Sequence, residues 1–345
     1  MAQFITFQPK DYFNTKLYTG TGSSLALTGL GFQPDMVWLK VRSTTSSHRI
    51  TDVVRGTGQV IYPNDTAEQS AESSVTAFGT DGFTVGTEGG TNTNGATYVG
   101  WSWKAGGGQG SSNTDGSINT TYTSVNTTSG LSISTYTGTG ANATVGHGLG
   151  VAPSIVLCKN LSVSGNWIMY HSSLGATKYM VLNNTDPVAT ATAAWNDTAP
   201  TSSVFTVGTG STVNGAGNNM LAYCFSEKTG FSKFGQYTGN GNADGAFVYT
   251  GFKPKFIITK KTNQNGYNFY MWDTARDIDN PAEKVLFADS NNAEADYSSY
   301  PHDILSNGFK VRSNNGAFNG GNDPYIYMAF AEAPLVGTNN VPCTA

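Results

Sequence analysis

Tyr18-Thr19-Gly20-Thr21-Gly22 returns as Tyr136-Thr137-Gly138-Thr139-Gly140 and again as Tyr237-Thr238-Gly239-Asn240-Gly241. Each copy leads through a proline into an apolar run that ends on lysine: Pro34 to Lys40, Pro153 to Lys159 and Pro254 to Lys260, with an interval of 6 residues in all three. Proline fixes φ and removes a main-chain donor, so it is expected just ahead of a strand rather than inside the ladder. The β-branched and aromatic run that follows reads as a core strand whose lysine sits at the solvent end.

Three further blocks recur in the same order. Asp52, His171 and Asp273 follow those lysines by 12, 12 and 13 residues, where a second strand runs into a turn. A tight turn into an aromatic strand comes next, at Asp81-Gly82-Phe83, Ser203-Val204-Phe205 and Asn307-Gly308-Phe309. Each copy closes on alternating large and small residues, Val99-Gly100-Trp101-Ser102-Trp103, Leu221-Ala222-Tyr223-Cys224-Phe225 and Met328-Ala329-Phe330-Ala331. Period-2 alternation puts the bulky side chains on one face, to pack a core, and the small ones on the other, where a second layer approaches closely. Phe83 to Trp101 and Phe205 to Tyr223 span 18 residues and Phe309 to Phe330 spans 21, which places an insertion near Gly320-Gly321.

Short strands between turn signals, without helical periodicity, predict an all-β chain of three tandem antiparallel β-sandwich or small-barrel modules. One helical turn is expected at Ala293-Glu294-Ala295-Asp296. The divisions fall at 1–105 for module one with an N-terminal arm, 106–117 for a flexible Gly/Ser linker, 118–229 for module two, 230–334 for module three and 335–345 for a C-terminal tail. Modules of this size are large enough for three autonomous cores.

Composition bounds the partners. Lys and Arg number 19 against 23 Asp and Glu, a net charge of −4 with no basic run, so no nucleic-acid partner is expected. Cys158, Cys224 and Cys343 have no metal or CxxC spacing, and the first two lie in apolar strands as buried free thiols. No stretch has the length of a membrane span and Met1–Phe7 lacks a secretory pattern, so a soluble cytosolic product without membrane insertion is expected. Asn-x-Ser/Thr triplets such as Asn119-Thr120-Thr121 then follow from composition.

A catalytic constellation normally occurs once, so residues repeated three times read as structural. His171 has Asp52 and Asp273 as counterparts and is read as a polar turn residue rather than a base. No cofactor, metal or catalytic residue is assigned. The remaining chemistry gathers in module three. Asp273, Asp277, Asp279 and Glu283 lie near Tyr270 and Trp272 and suggest a carboxylate pair for glycoside hydrolysis, against the plainer reading of a solvated loop balanced by Arg276 and Lys284. Asp277-Ile278-Asp279-Asn280 offers oxygen ligands without a calcium-loop spacing. Tyr267, Phe269, Tyr270, Trp272, Tyr297 and Tyr300 are the candidate surface-contact residues, for a sugar or a protein, with packing against neighbouring loops or a sister subunit as the alternative.

The blocks Asp11 to Gly20, Gly29 to Lys40, Gly146 to Pro153, Trp101 to Gly106 and Tyr327 to Glu332 resemble a repeated module of uncharacterised function in tail-fibre-like and other structural proteins of marine bacteriophages. The resemblance covers nearly the whole chain and implies a virion component made in the host cytoplasm, homo-oligomeric (a trimer among the options), that contacts other virion proteins and a host surface glycan. It carries no catalytic residues. Three readings stay open: a tail-associated adhesion protein, a capsid decoration protein and a polysaccharide depolymerase. Met1–Lys10 is a candidate attachment arm, and no heptad or collagen period builds a shaft.

Overall fold

Proline, apolar run and lysine do form the strands Met36–Val41, Ile155–Asn160 and Phe252–Lys261. The third starts earlier than its sequence suggests, with Pro254 inside it at a register irregularity, which is where a strand tolerates a missing donor. The computed structural model describes residues 7–334. The arm before Phe7, the tail 335–345 and Cys343 lie outside the described residues.

Each alternating block is the central strand of a large antiparallel sheet. Thr97–Trp103 lies between Phe13–Thr19 and Met36–Val41, Asn219–Phe225 between Leu131–Thr137 and Ile155–Asn160, and Pro324–Pro334 between Ser232–Thr238 and Phe252–Lys261. A smaller sheet covers one face of each: Leu25–Thr28 with Gly82–Val85 and Val75–Gly79, Ala143–Gly146 with Val204–Val207, and Phe247–Tyr249 with Gly308–Val311 and His302–Leu305. The chain is therefore 43% strand and 5% helix, of β-sandwich type, with no closed barrel among the described residues. Residues 293–296 hold no helix; Ala295–Asp296 pairs with Lys284–Val285 as the counterpart of Ser70–Ala71 and Ala189–Thr190 in the other modules.

The small side chains face the smaller sheet. A Cβ on Gly100 would stand 2.8 Å from Leu39 and 3.2 Å from Phe83, so the glycine admits the covering layer. Ala222 and Cys224 do the same in module two, Ala329 and Ala331 in module three. The bulky faces point the other way and do not make three separate cores. Trp101 and Trp103, Tyr223 and Phe225, Met328 and Phe330 all enter one hydrophobic cluster shared by the three modules, in which Phe330 stacks on Phe13 (5.3 Å) and meets Phe225 edge-on (5.8 Å). The expectation of autonomous cores is thus corrected: each module has a core of its own between its sheets, and a common core lies between the modules. Burying each of these large side chains is worth about 1.5–3 kcal/mol, so a module taken alone forfeits much of its stabilisation.

Main-chain bonds close the modules into a ring. Gly165 N donates to Thr66 O (2.7 Å), Val188 N to Thr262 O (2.8 Å) and Glu294 N to Arg42 O (2.8 Å), joining modules one to two, two to three and three to one. Segment 106–117, expected to be a flexible linker, is tied down: Gly107 N donates to Asp35 Oδ2 (3.0 Å) and Gln109 Nε2 to Val54 O (3.0 Å). Gly110 and Gly116 serve close approach there, since a Cβ would lie 1.9 Å from Thr123 O or 2.4 Å from Thr144 O.

The register also corrects the insertion. Trp38 pairs with Trp101, Leu157 with Tyr223 and Ile258 with Met328, so Met328, not Phe330, is the counterpart of Trp101. Module three carries one extra residue, before Asn319 rather than at Gly320-Gly321.

The repeated lysines are not at a solvent end. Lys40, Lys159 and Lys260 are buried, because the neighbouring module's loop closes over each strand end. Lys159 Nζ donates to Gly165 O (2.6 Å) and to Thr66 O of module one (2.9 Å); Lys40 Nζ donates to Val41 O (2.7 Å) and Lys260 Nζ to Tyr267 O. Burial pulls Lys40 down to about 7 and Lys159 to about 8. The unfolded chain keeps these amines protonated up to the ordinary lysine range while the folded protein releases their protons earlier. Stability therefore rises with pH from about 7 until other groups ionise near 9. Thermal melts between those values should show an increase on the order of 3–4 kcal/mol from these two lysines, which a Lys40→Met, Lys159→Met double variant removes, leaving the smaller rise due to Lys260, which burial lowers to about 8.

Candidate functional site

Asp52, His171 and Asp273 occupy equivalent ladder positions, opposite Met36, Ile155 and Phe256. Asp52 Oδ1 accepts from Val54 N (3.0 Å) and Arg55 N (2.9 Å). Its Oδ2 accepts from Arg55 Nε (2.6 Å) and from Tyr223 OH of module two (2.6 Å). Asp273 repeats this set. Its Oδ1 accepts from Ala275 N (3.1 Å) and Arg276 N (2.9 Å), and its Oδ2 from Arg276 Nε (2.5 Å) and Trp101 Nε1 of module one (3.1 Å). Arg55 and Arg276 lose basicity by burial, yet the facing carboxylates outweigh it and hold both guanidiniums above their ordinary value.

The third position differs on both sides of the junction. Leu174 replaces the arginine, and Met328 of module three stands where the others have a donating aromatic. His171 Nδ1 accepts from Ser173 N (3.2 Å), and Nε2 lies 3.4 Å from Tyr327 O. Burial lowers its pKa to about 4, so the imidazole is neutral and the junction needs no counter-ion. Two ion pairs and one neutral histidine thus serve the same place in the ring. Tyr223→Phe leaves Asp52 with one bond fewer and should cost about 1–2 kcal/mol in chemical denaturation, whereas Met328→Leu, which breaks no hydrogen bond, should cost less.

Of the candidate contact residues, the structure keeps three near the surface. Phe269, Tyr270 and Trp272 are 1%, 5% and 0% exposed. They lie in or beside the strand Tyr270–Asp273, with Phe269 in the common core and Tyr270 and Trp272 in that of module three, so their reading as surface residues is corrected. Tyr267, Tyr297 and Tyr300 are half-buried, and Tyr297 stacks on Tyr300 at 4.8 Å. The acids do not converge either. Asp273 is buried in the ring contact, Asp277 accepts from Glu283 N (2.7 Å) and pairs with Lys284 (3.1 Å), and Asp279 is exposed. Among the described residues no group of three or more His, Cys, Asp or Glu is placed to hold a metal ion, and no helix is long and apolar enough to cross a membrane. Cys158 and Cys224 are buried free thiols.

The apolar cavity where the three sheets meet measures about 30 Å³, room for a water molecule rather than a ligand.

Asn92, Asn214 and Asn319 have no counterpart among the residues singled out by sequence, yet they explain the Tyr-Thr-Gly signal. The tyrosines donate to the carbonyl just before each asparagine: Tyr18 to Thr91 O (2.7 Å), Tyr136 to Val213 O (2.6 Å) and Tyr237 to Phe318 O (2.9 Å). The first glycine of each copy lets that carbonyl-rich turn approach, since a Cβ would lie 2.2, 2.2 or 2.3 Å from the oxygen of Thr93, Gly215 or Gly320. The next residue donates its N–H to the asparagine Oδ1, from Thr21 (2.8 Å), Thr139 (2.7 Å) and Asn240 (2.8 Å). Each asparagine stands nine residues before Trp101, Tyr223 or Met328, a constant spacing that the sequence does display.

None of the curated proteins matches the chain. A single family model spans residues 8–334, all three modules together, and the chain accordingly belongs to the family described as a domain of unknown function, DUF7483.

Proposed function

We propose that the protein is a non-enzymatic structural component of a tailed-bacteriophage virion, a tail-fibre-like or adhesion protein that contacts the host surface through the outer loops of module three. The resemblance of the repeated blocks to phage structural modules supports the virion setting. The observation that carries the adhesion reading is the stacked pair Tyr297 and Tyr300, packed against the rim of the module-three core and partly exposed, in a segment where module one has only Glu72-Ser73-Ser74. Paired aromatic faces at a surface suit a glycan ring, and the other partners are fellow virion proteins. Capsid decoration is the second reading, favoured by the ring itself: three equivalent modules offer three equivalent faces to a threefold site on a head lattice.

Copy number and position in intact particles, by quantitative mass spectrometry and cryo-electron microscopy, test both. A few copies at the tail support adhesion. Hundreds over the head support decoration and overturn adhesion, and absence from purified particles overturns both.

A further inference from the structure

The smaller sheets present equivalent edge strands, Leu25–Thr28, Ala143–Gly146 and Phe247–Tyr249, fixed in register by their partners. The outer edge of the first is capped: Lys16 Nζ donates to Thr28 O (2.7 Å). The second is covered by the chain itself, with Ile118 N donating to Thr144 O (2.9 Å) and Ile118 bridging Val145. The third has neither device. Ladder positions put Gly235 where module one has Lys16, and among the described residues no hydrogen bond reaches the outward main-chain groups of Phe247 and Tyr249. Those groups do point outward: Val311 N donates to Ala246 O, so alternate residues along the strand turn their N–H and C=O away from the sheet.

The same strand exposes its aromatic rings, Phe247 at 46% and Tyr249 at 58%. Modules one and two have Ala26 and Thr28, and Thr144 and Gly146, at these positions. Phe247-Val248-Tyr249 also lacks the charge, proline or bulge with which proteins ordinarily protect an open edge. It is its own complement. Antiparallel pairing about a two-fold through Val248 sets Phe247 against Tyr249 of the partner subunit twice over, satisfies the outward main-chain groups and juxtaposes no like charges, which is what an isologous contact requires.

We propose that Phe247–Tyr249 is the edge through which two copies of this chain pair, joining their small sheets into one. A contact this short gives reversible rather than permanent association. The proposal holds for either place in the virion and does not rest on the adhesion reading.

Sedimentation equilibrium of the full chain, in a series reaching high micromolar concentration, tests it. The native protein should show a reversible monomer–dimer equilibrium. A Phe247→Lys, Tyr249→Lys double variant, altered only at solvent-facing positions, should keep its melting temperature and weaken association by about 100-fold through like charges set opposite one another. An Ala26→Lys, Thr28→Lys variant should dimerise as the native chain does. A native protein that stays monomeric throughout, or a double-lysine variant that dimerises undiminished, overturns the proposal.

Discussion

Asp273→Ala loses about 3–5 kcal/mol of stability in urea or guanidinium denaturation, because it takes the principal counter-ion from the buried Arg276 cation. The side chains of both partners are 0% exposed. Removing the carboxylate withdraws the acceptor from Arg276 Nε, from two turn N–H groups and from Trp101 Nε1 at once. Glu294 still reaches Arg276 Nη1 at 3.1 Å but cannot replace the bond at Nε. Asp273→Asn keeps the shape and some of the bonds while removing the charge, so it should fall between alanine and native. Asp279→Asn, at an exposed position, should change stability by less than about 0.5 kcal/mol. That contrast also bears on glycoside hydrolysis: two carboxylates of one catalytic pair need a shared open cleft, and these differ completely in access to solvent.

Asn214→Ala should cost on the order of 3 kcal/mol, because one side chain satisfies several buried main-chain groups. Its Nδ2 donates to Ala141 O (2.6 Å) and Gly208 O (3.0 Å), and its Oδ1 accepts from Thr139 N (2.7 Å). Alanine leaves Thr139 N and Gly208 O without partners and Ala141 O with only the longer bond from Thr139 Oγ1 (3.2 Å). Asn214→Asp is no rescue, since a carboxylate would confront two carbonyl oxygens, and its deficit should shrink on acidification as the group takes up a proton. Asn292→Ala, exposed and without a side-chain bond, is the matching control. The same substitution at Asn92 or Asn319 should repeat the loss, because both hold the same bonds in their own modules.

The recurring strands, the alternating faces and the two buried thiols could be read from the sequence because each depends on local period and residue volume. What escaped reading depends on a neighbour far along the chain. Lys159 at the end of an apolar run looks like a solvated terminus until Thr66, from another module, is seen to cover it. Trp272 beside a polar loop looks exposed, although period 2 through Phe269, Tyr270, Met271 and Trp272 sends alternate rings into two different cores. The common core escaped for the same reason: an aromatic face predicts burial but not the identity of what buries it. Of the candidate site, only the structural role of Asp52, His171 and Asp273 was legible, from their triplication. Their partners Tyr223 and Trp101 belong to adjoining modules, and no interval within a module reveals them.

Three modules joined in a ring make within one chain the assembly that three separate subunits would make by collision. Separate subunits come apart on dilution, since their association depends on how much protein is present. Here the segments at 106–117 and 226–230 hold each module beside its neighbours at an effective concentration set by the tether, not by the solution. The common core therefore survives at any dilution. Because no module is obliged to match its own copy, the three were free to diverge, and one ring contact now rests on histidine and methionine while the other two keep their ion pairs.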